Sequence, residues 1–277
     1  MSEQKSALIV RSTKNGVRTL MMNMPKRLNG WTSEMMEALK RSFLDAAADP
    51  EVKVVILTGA DPYYCAGVNL AGTIKLGHPR KLRELIIEHN QALFDAFLDF
   101  PKPILAAING PAIGASVTSA TLCDEIIASD KATFSTPFAK LGITREGCSS
   151  LLFPRILGEK NAARMLEEEG WSPSGAEAKE IGLARWCVPH EELMEQAQRI
   201  AETWIADGRR RTFRGSSTKE ELKATNAVES AALADSFLDT PFLEGQFRFL
   251  WSRKKRIPAA MFFVLKHTRP LWARLLS

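Results

Sequence analysis

The sequence predicts an α/β fold with a helical C-terminal part, on three observations. Two apolar, β-branched runs, Val52 to Leu57 and Ile104 to Ile108, have the length and composition of buried strands. Each ends on turn chemistry and small residues, Thr58-Gly59 in the first and Asn109-Gly110-Pro111 in the second. Strand-to-loop units in series of this kind are the pattern of α/β folds that place ligands at strand C-termini. Beyond Asp207 the composition turns basic and then reads as helices only, which divides the chain into a core, residues 1–207, and a helical region, residues 208–277.

The elements follow in order. Ala7 to Val10 and Val17 to Met22 are apolar runs joined through Lys14-Asn15-Gly16, a hairpin signal. Pro25 to Gly30 is a loop carrying Lys26 and Arg27. Thr32 or Ser33 caps a helix with Met35, Met36, Leu39, Phe43 and Leu44 at helical spacing, ended by Asp49-Pro50. After the Val52 strand comes the loop Tyr63 to Leu70, then an amphipathic helix over Arg80 to Phe100 with Leu82, Leu85, Ile86, Leu93, Phe94 and Phe97 inward. The Ile104 strand leads through Gly114-Ala115-Ser116 into a buried helix near Val117 to Cys123. Glu125 to Ala128 and Ala132 to Ser135 read as short strands. A long irregular segment spans Thr136 to Ser150, and Leu151 to Leu157 is an apolar run interrupted by Pro154. Helices are expected at Asn161 to Glu168, Ser174 to Ile181, Glu191 to Ala206, Lys219 to Leu238 and Pro241 to Ser252, with a short strand at Leu183 to Val188.

Composition bounds the class. A chain of 277 residues with 45% hydrophobic and 25% charged content is ordinary for a globular protein. Its net charge of +5 is mild, and suits an anionic small molecule better than it argues for nucleic acid. The four cysteines are widely spaced with no CxxC, which predicts free thiols in a reducing compartment and no metal site. No signal-peptide region and no apolar run long enough to span a bilayer is found, so a soluble cytoplasmic protein is expected. The four histidines lack metal-ligand spacing and read as surface or cap residues. GxSxG, P-loop and GxGxxG are missing, leaving nucleophilic serine, nucleotide hydrolysis and a dinucleotide fingerprint without support.

Two places carry candidate chemistry. At Gly114-Ala115 a strand, a tight turn and a helix start line up free amides and a positive dipole end, suited to an oxygen gaining negative charge; an ordinary βα packing turn is the plainer reading. Glu146 is either a first-turn carboxylate favoured by a helix dipole, or a general base in a pocket walled by Phe138, Leu141, Ile143 and Leu151, where desolvation raises its pKa. The basic runs Arg209–Arg214 and Arg253–Arg256 are expected to form solvated faces. The apolar residues of the tail, Met261 to Leu265 and Leu271-Trp272, should pack on their own core or on a neighbouring subunit.

Cys65-Ala66-Gly67-Val68-Asn69-Leu70, the turn Ala107 to Ala115, and Cys123-Asp124 together resemble the crotonase (enoyl-CoA hydratase/isomerase) superfamily, with likeness over about residues 7 to 256. The resemblance implies a spiral of ββα units with a helical C-terminal trimerisation region. It also implies an acyl-CoA substrate whose thioester oxygen lies between two backbone amides, carried over to Val68 and Ala115. Lys26, Arg27 and the stretch Ala66, Gly67, Asn69, Leu70 then look like CoA-facing walls, and Gly114, Phe138 and Leu141 would line the substrate. No cofactor is implied, since coenzyme A enters as part of the substrate. The partners implied are acyl-CoA and further copies, as a homotrimer or dimer of trimers, without nucleic acid or membrane span.

The two glutamates that hydratases of this family use fall on Thr118 and Phe138 here. By contrast, Thr136 to Gly142 with Glu146-Gly147-Cys148-Ser149-Ser150 resembles peroxisomal-type Δ3,Δ2-enoyl-CoA isomerases, whose single glutamate base corresponds to Glu146. Isomerisation of 3-enoyl-CoA to 2-trans-enoyl-CoA is therefore the expected activity. The alternatives are another crotonase reaction, such as hydratase or thioesterase, or a non-catalytic acyl-CoA- or RNA-binding homologue. Departures from the family pattern are Gly30-Trp31 after the first loop's asparagine, Val68-Asn69 where many relatives carry an acid, and the tail from Ile257 to Ser277.

Overall fold

The computed structural model describes residues 7–69, 77–167 and 169–276. β1 (Ile9–Lys14) and β2 (Val17–Met22) form the expected hairpin, with Asn15 and Gly16 both at positive φ in its turn. β3 (Val54–Gly59), β4 (Ile104–Ile108), β6 (Glu125–Ser129) and β8 (Trp186–Val188) extend it into one sheet, ordered β1-β2-β3-β4-β6-β8, in which every pair after the hairpin is parallel. A second, two-stranded sheet pairs β5 (Ala112–Ile113) with β7 (Phe134–Ser135). The helices are α1 (Ser33–Ala48), α2 (Pro79–Leu98), α3 (Ala115–Thr121), α4 (Phe138–Leu141), α5 (Ser149–Leu166), α6 (Gly175–Glu180), α7 (Leu193–Ala206), α8 (Lys219–Phe237), α9 (Thr240–Ser252) and α10 (Arg256–Trp272).

The continuous apolar runs of β3 and β4 are explained by cover on both faces. Val54, Ile56, Leu105 and Ala107 pack under α7 with Leu193, Ala197, Ala201 and Trp204. Val55, Leu57, Ile104, Ala106 and Ile108 face the main core, which also takes residues from α1, α2, α5, α8, α9 and α10. Successive residues of a strand point to opposite faces, so a strand covered on both sides needs an apolar residue at each position.

Several sequence expectations change in detail. The apolar run interrupted by Pro154 is itself helical, the first part of α5, and the chain turns at Gly158 (φ 74°) before continuing to Leu166. The expected strand from Ala132 shortens to Phe134–Ser135, and Leu85 of α2 faces outward. The tail is the helix α10, packed on α9, with Ala259 and Phe262 buried and the Phe262 ring edge-on to Phe242. Its other face stays open, with Ile257 and Leu271 exposed.

The basic run Arg209–Arg214 is not simply a solvated face. Arg211 turns inward to the fully buried carboxylate of Asp124 at 2.6 Å, and also donates to the carbonyls of Leu122 and Phe97. The remaining capacity of Asp124 is taken by the Ile104 amide and by the Thr212 amide and hydroxyl. Arg214 donates to the carbonyls of Leu183 and Gly182. Buried carboxylates need this kind of pairing, so two of the run's cations are committed to holding the segment after α7 against the start of β6.

Candidate active site

The site is built at the C-terminal ends of β3 and β4. Asn109, just past β4, accepts from the Gly59 amide and donates to Asp61, tying the end of β3 to the loop that follows. Asn29 donates to the carbonyls of Ala60 and Tyr63 in the same loop. His190, expected as a surface or cap residue, is half-buried at the start of a 3-10 turn and adds a third tie, its ring lying 3.1 Å from the Asp61 carboxylate and 3.0 Å from the Asn109 carbonyl. These anchors deliver Cys65 to Asn69 against the turn after β4, where Cys65 and Ala112 form a parallel bridge.

Val68 pairs with Trp31 in another isolated parallel bridge. The bonds of that bridge run from the Trp31 amide to the Gly67 carbonyl and from the Asn69 amide to the Trp31 carbonyl. Both bonds use the neighbours of Val68, which turns its own N–H to the opposite side. Ala115 is the first residue of α3, where an amide has no intrahelical acceptor. Among the described residues neither N–H donates a hydrogen bond.

The two segments are in close contact. A Cβ on Gly67 would fall 2.5 Å from the Ile113 carbonyl oxygen and 4.0 Å from the Ala115 nitrogen, which with its positive φ leaves room only for glycine. Gly114 also has positive φ, and the Phe138 ring lies by it. Lys26 and Arg27 occupy an exposed 3-10 turn ending at Leu28, whose carbonyl accepts from the Ala66 amide. The structure thus brings together Lys26, Arg27, Ala66, Gly67, Val68, Asn69, Gly114, Ala115 and Phe138. Leu70 lies outside the described residues.

Glu146 reaches this place from the segment before α5. Gly147, at φ 67°, is pressed against α3 and α2, and a Cβ there would meet the Thr118 hydroxyl at 2.4 Å and the Phe94 ring at 2.5 Å. Thr118 stands one helical turn from Ala115, and its hydroxyl donates to the Ala115 carbonyl. The carboxylate of Glu146 is buried and accepts a 2.7 Å hydrogen bond from the Asn90 side chain of α2. Burial pushes its pKa up to about 7; the Asn90 bond pulls the other way, and the nearby Glu229 charge adds to the rise.

The reading of Glu146 as a first-turn acid is corrected. It lies ahead of α5, and the acid on that helix end is Glu229 of α8, which accepts from the Cys148 amide at 2.6 Å and the Ser150 amide at 2.8 Å. Phe138 and Ile143, with Leu141 and Leu151 packed on them, belong to the same core cluster as Phe94, and the groups directly against Glu146-Gly147 include Asn90, Phe94 and Thr118.

Asn90, Ser230 and Glu229 were not singled out by the sequence. Ser230 donates to the Asn90 side-chain oxygen at 2.7 Å, which fixes the amide so that its NH2 points at Glu146. Asn90 had a signal, being a polar residue within the apolar stripe Ile86, Leu93, Phe94, Phe97 of α2. Glu229 and Ser230 had none, because α8 is buried on a face of mixed character.

A family model described as enoyl-CoA hydratase/isomerase matches residues 12–249. The chain belongs to that family. It is 36% identical over 243 residues to an uncharacterised protein of Caenorhabditis elegans, covering 84% of this chain and 92% of the relative. It is 33% identical over 267 residues to human enoyl-CoA delta isomerase 2, covering 90% of this chain but 64% of the human protein. Among solved structures, an enoyl-CoA hydratase/isomerase of Pseudoalteromonas atlantica superposes with a TM-score of 0.73 at 25% identity, over 89% of this chain and 97% of that one. The fold is accordingly that of enoyl-CoA hydratase/isomerase structures, with the C-terminal helices present. Among the described residues no helix is long and apolar enough to cross a membrane.

Proposed function

We propose that this enoyl-CoA hydratase/isomerase family member moves the double bond of a 3-enoyl-CoA to the 2-trans position with one glutamate base. The observation that carries the reading is Glu146, a buried carboxylate with its pKa pushed up to about 7, whose neighbour Gly147 packs on Thr118, one α3 turn from the Ala115 amide. The α-proton of a thioester becomes acidic enough to remove only when the oxygen can take negative charge. The Val68 and Ala115 amides would receive that oxygen, each such donor being worth about 3 kcal/mol in the transition state. Glu146 would take the α-proton and return it at the γ-carbon, with Asn90 holding its carboxylate in place. Lys26 and Arg27 would face the CoA phosphates, and Phe138 the acyl group.

Thr118 and Phe138 at the hydratase glutamate positions favour isomerisation over hydration. The Thr118 hydroxyl is already bonded to the Ala115 carbonyl, and Phe138 is buried and apolar. The same proposal includes assembly as a homotrimer or dimer of trimers, residence in the cytoplasm, and no requirement for a separate cofactor. Incubating the purified protein with 3-enoyl-CoA thioesters of several chain lengths and identifying the products tests the reaction. Formation of 2-trans-enoyl-CoA supports it, whereas hydrolysis to free CoA or no turnover would reject it.

A further inference from the structure

The basic segment after α7, having no role in the chemistry above, helps to enclose a cavity of about 630 Å³ at the opposite edge of the sheet. Its floor is the start of β6, where Glu125 pairs with Leu105 near the beginning of β4. The turns leading to Val68 and Ala115 leave from the other ends of β3 and β4. The cavity is therefore separated from the Val68 and Ala115 amides by the length of the strands.

Cations reach it from separate parts of the chain: Arg155 from α5, Lys179 from α6, Arg185 before β8, and Arg209 and Arg214 after α7. Two carboxylates line it, and one is already spent, since Asp124 has its oxygens filled by Arg211, Thr212 and the Ile104 amide. Arg155 is balanced from outside by Glu221 at 3.2 Å. This leaves Lys179, Arg185 and Arg209 against Glu125, beside Arg214, whose guanidinium already holds the Leu183 and Gly182 carbonyls; the contacts of Glu125 to Arg209 and Arg214 are loose, 3.9 and 4.0 Å. Lys179 and Arg185 form no ion pair among the described residues. Burial and the neighbouring Arg185 both disfavour the charge on Arg214. Like charges gathered in a recess repel one another, and a bound anion relieves that repulsion. Ile156 and Phe213 supply apolar wall, and Thr212 a polar one.

From this geometry we infer a second ligand site, for a small phosphate-bearing anion, held by Lys179, Arg185 and Arg209, with the charge of the already bonded Arg214 beside them. Guanidinium groups match phosphate oxygens in pairs, and the volume admits a phosphorylated small molecule but not a nucleic-acid duplex. The phosphate has two possible sources, a free phosphorylated metabolite or the phosphate end of a coenzyme A. Separation from the Val68 and Ala115 amides by the length of the strands favours the free metabolite.

The test is calorimetric titration of the full chain with inorganic pyrophosphate at low ionic strength, with and without saturating free coenzyme A. Binding is expected in both cases. Lys179→Gln combined with Arg185→Gln should weaken it at least about tenfold, the scale of losing charged hydrogen bonds, while turnover of a 3-enoyl-CoA stays within twofold. Glu125→Gln should instead tighten it, because the opposing carboxylate is gone. Melting curves confirm that each variant is folded. No binding heat or unchanged affinity in the double variant would overturn the site, and displacement of pyrophosphate by coenzyme A would overturn the free metabolite as its ligand.

Discussion

Replacing Glu146 by Gln should separate chemistry from folding in one variant. The amide keeps the shape and can still accept the Asn90 hydrogen bond, but it cannot take a proton. Isomerisation should fall by at least about a hundredfold, the lower range for losing a general acid–base group, with KM within a few-fold. The same change acts on stability through pH. The Glu146 carboxyl is raised from 4.5 to about 7 in the folded chain. Below about pH 4.5 it is protonated in both states and contributes nothing. Between there and about 7 the unfolded chain releases a proton that the folded chain keeps, so stability falls as pH rises. Above that window the whole cost is present, about 3 kcal/mol from the shift. The variant carries no such cost. Its stability relative to the wild type should therefore improve from pH 5 to pH 8.5 by an amount approaching that figure, read from urea unfolding at both pH values. Activity above a few per cent of wild type, or a stability difference independent of pH, would refute the assignment.

Other consequences are also measurable. The kcat/KM of the wild type should rise with pH through about 7, because the base must be ionised to act. Asn90→Ala removes a bond that favours the ionised form, so it should move that rise to higher pH, a displacement that a purely structural defect would not produce. Ala115→Pro deletes one unpaired amide at a helix position that tolerates proline, and should lower kcat by about a hundredfold or more in a chain whose circular dichroism is unchanged. Arg211→Met leaves Asp124 buried without its cation and should cost about 3–5 kcal/mol in urea unfolding.

The sheet was legible because it is covered on both faces. Runs such as Val54 to Leu57 and Ile104 to Ile108 have one physical explanation, and their turn residues mark where they end. Glu146 was legible only in part. Its motif located it, but its environment comes from α2 and α8, where Asn90 lies 56 residues away in sequence and Ser230 lies 140 from Asn90. Local periodicity carries no trace of such a pairing. The same limit explains why Glu146 looked like a helix-end acid, since the carboxylate that serves α5 arrives from α8. Arg211 and Arg214 looked solvated for a related reason. A basic run states its charge but not the buried carboxylate or the carbonyls that wait for it elsewhere.

The central claim is that one carboxylate serves an allylic proton shift and that hydration lacks its catalytic pair. The direct measurement is the ratio of two initial rates on the same purified protein, conversion of a 3-enoyl-CoA to its 2-trans isomer and hydration of the matching 2-trans-enoyl-CoA. With Thr118 and Phe138 where a hydratase needs two carboxylates, isomerisation should exceed hydration by at least about a hundredfold. Comparable rates, or faster hydration, would contradict the account.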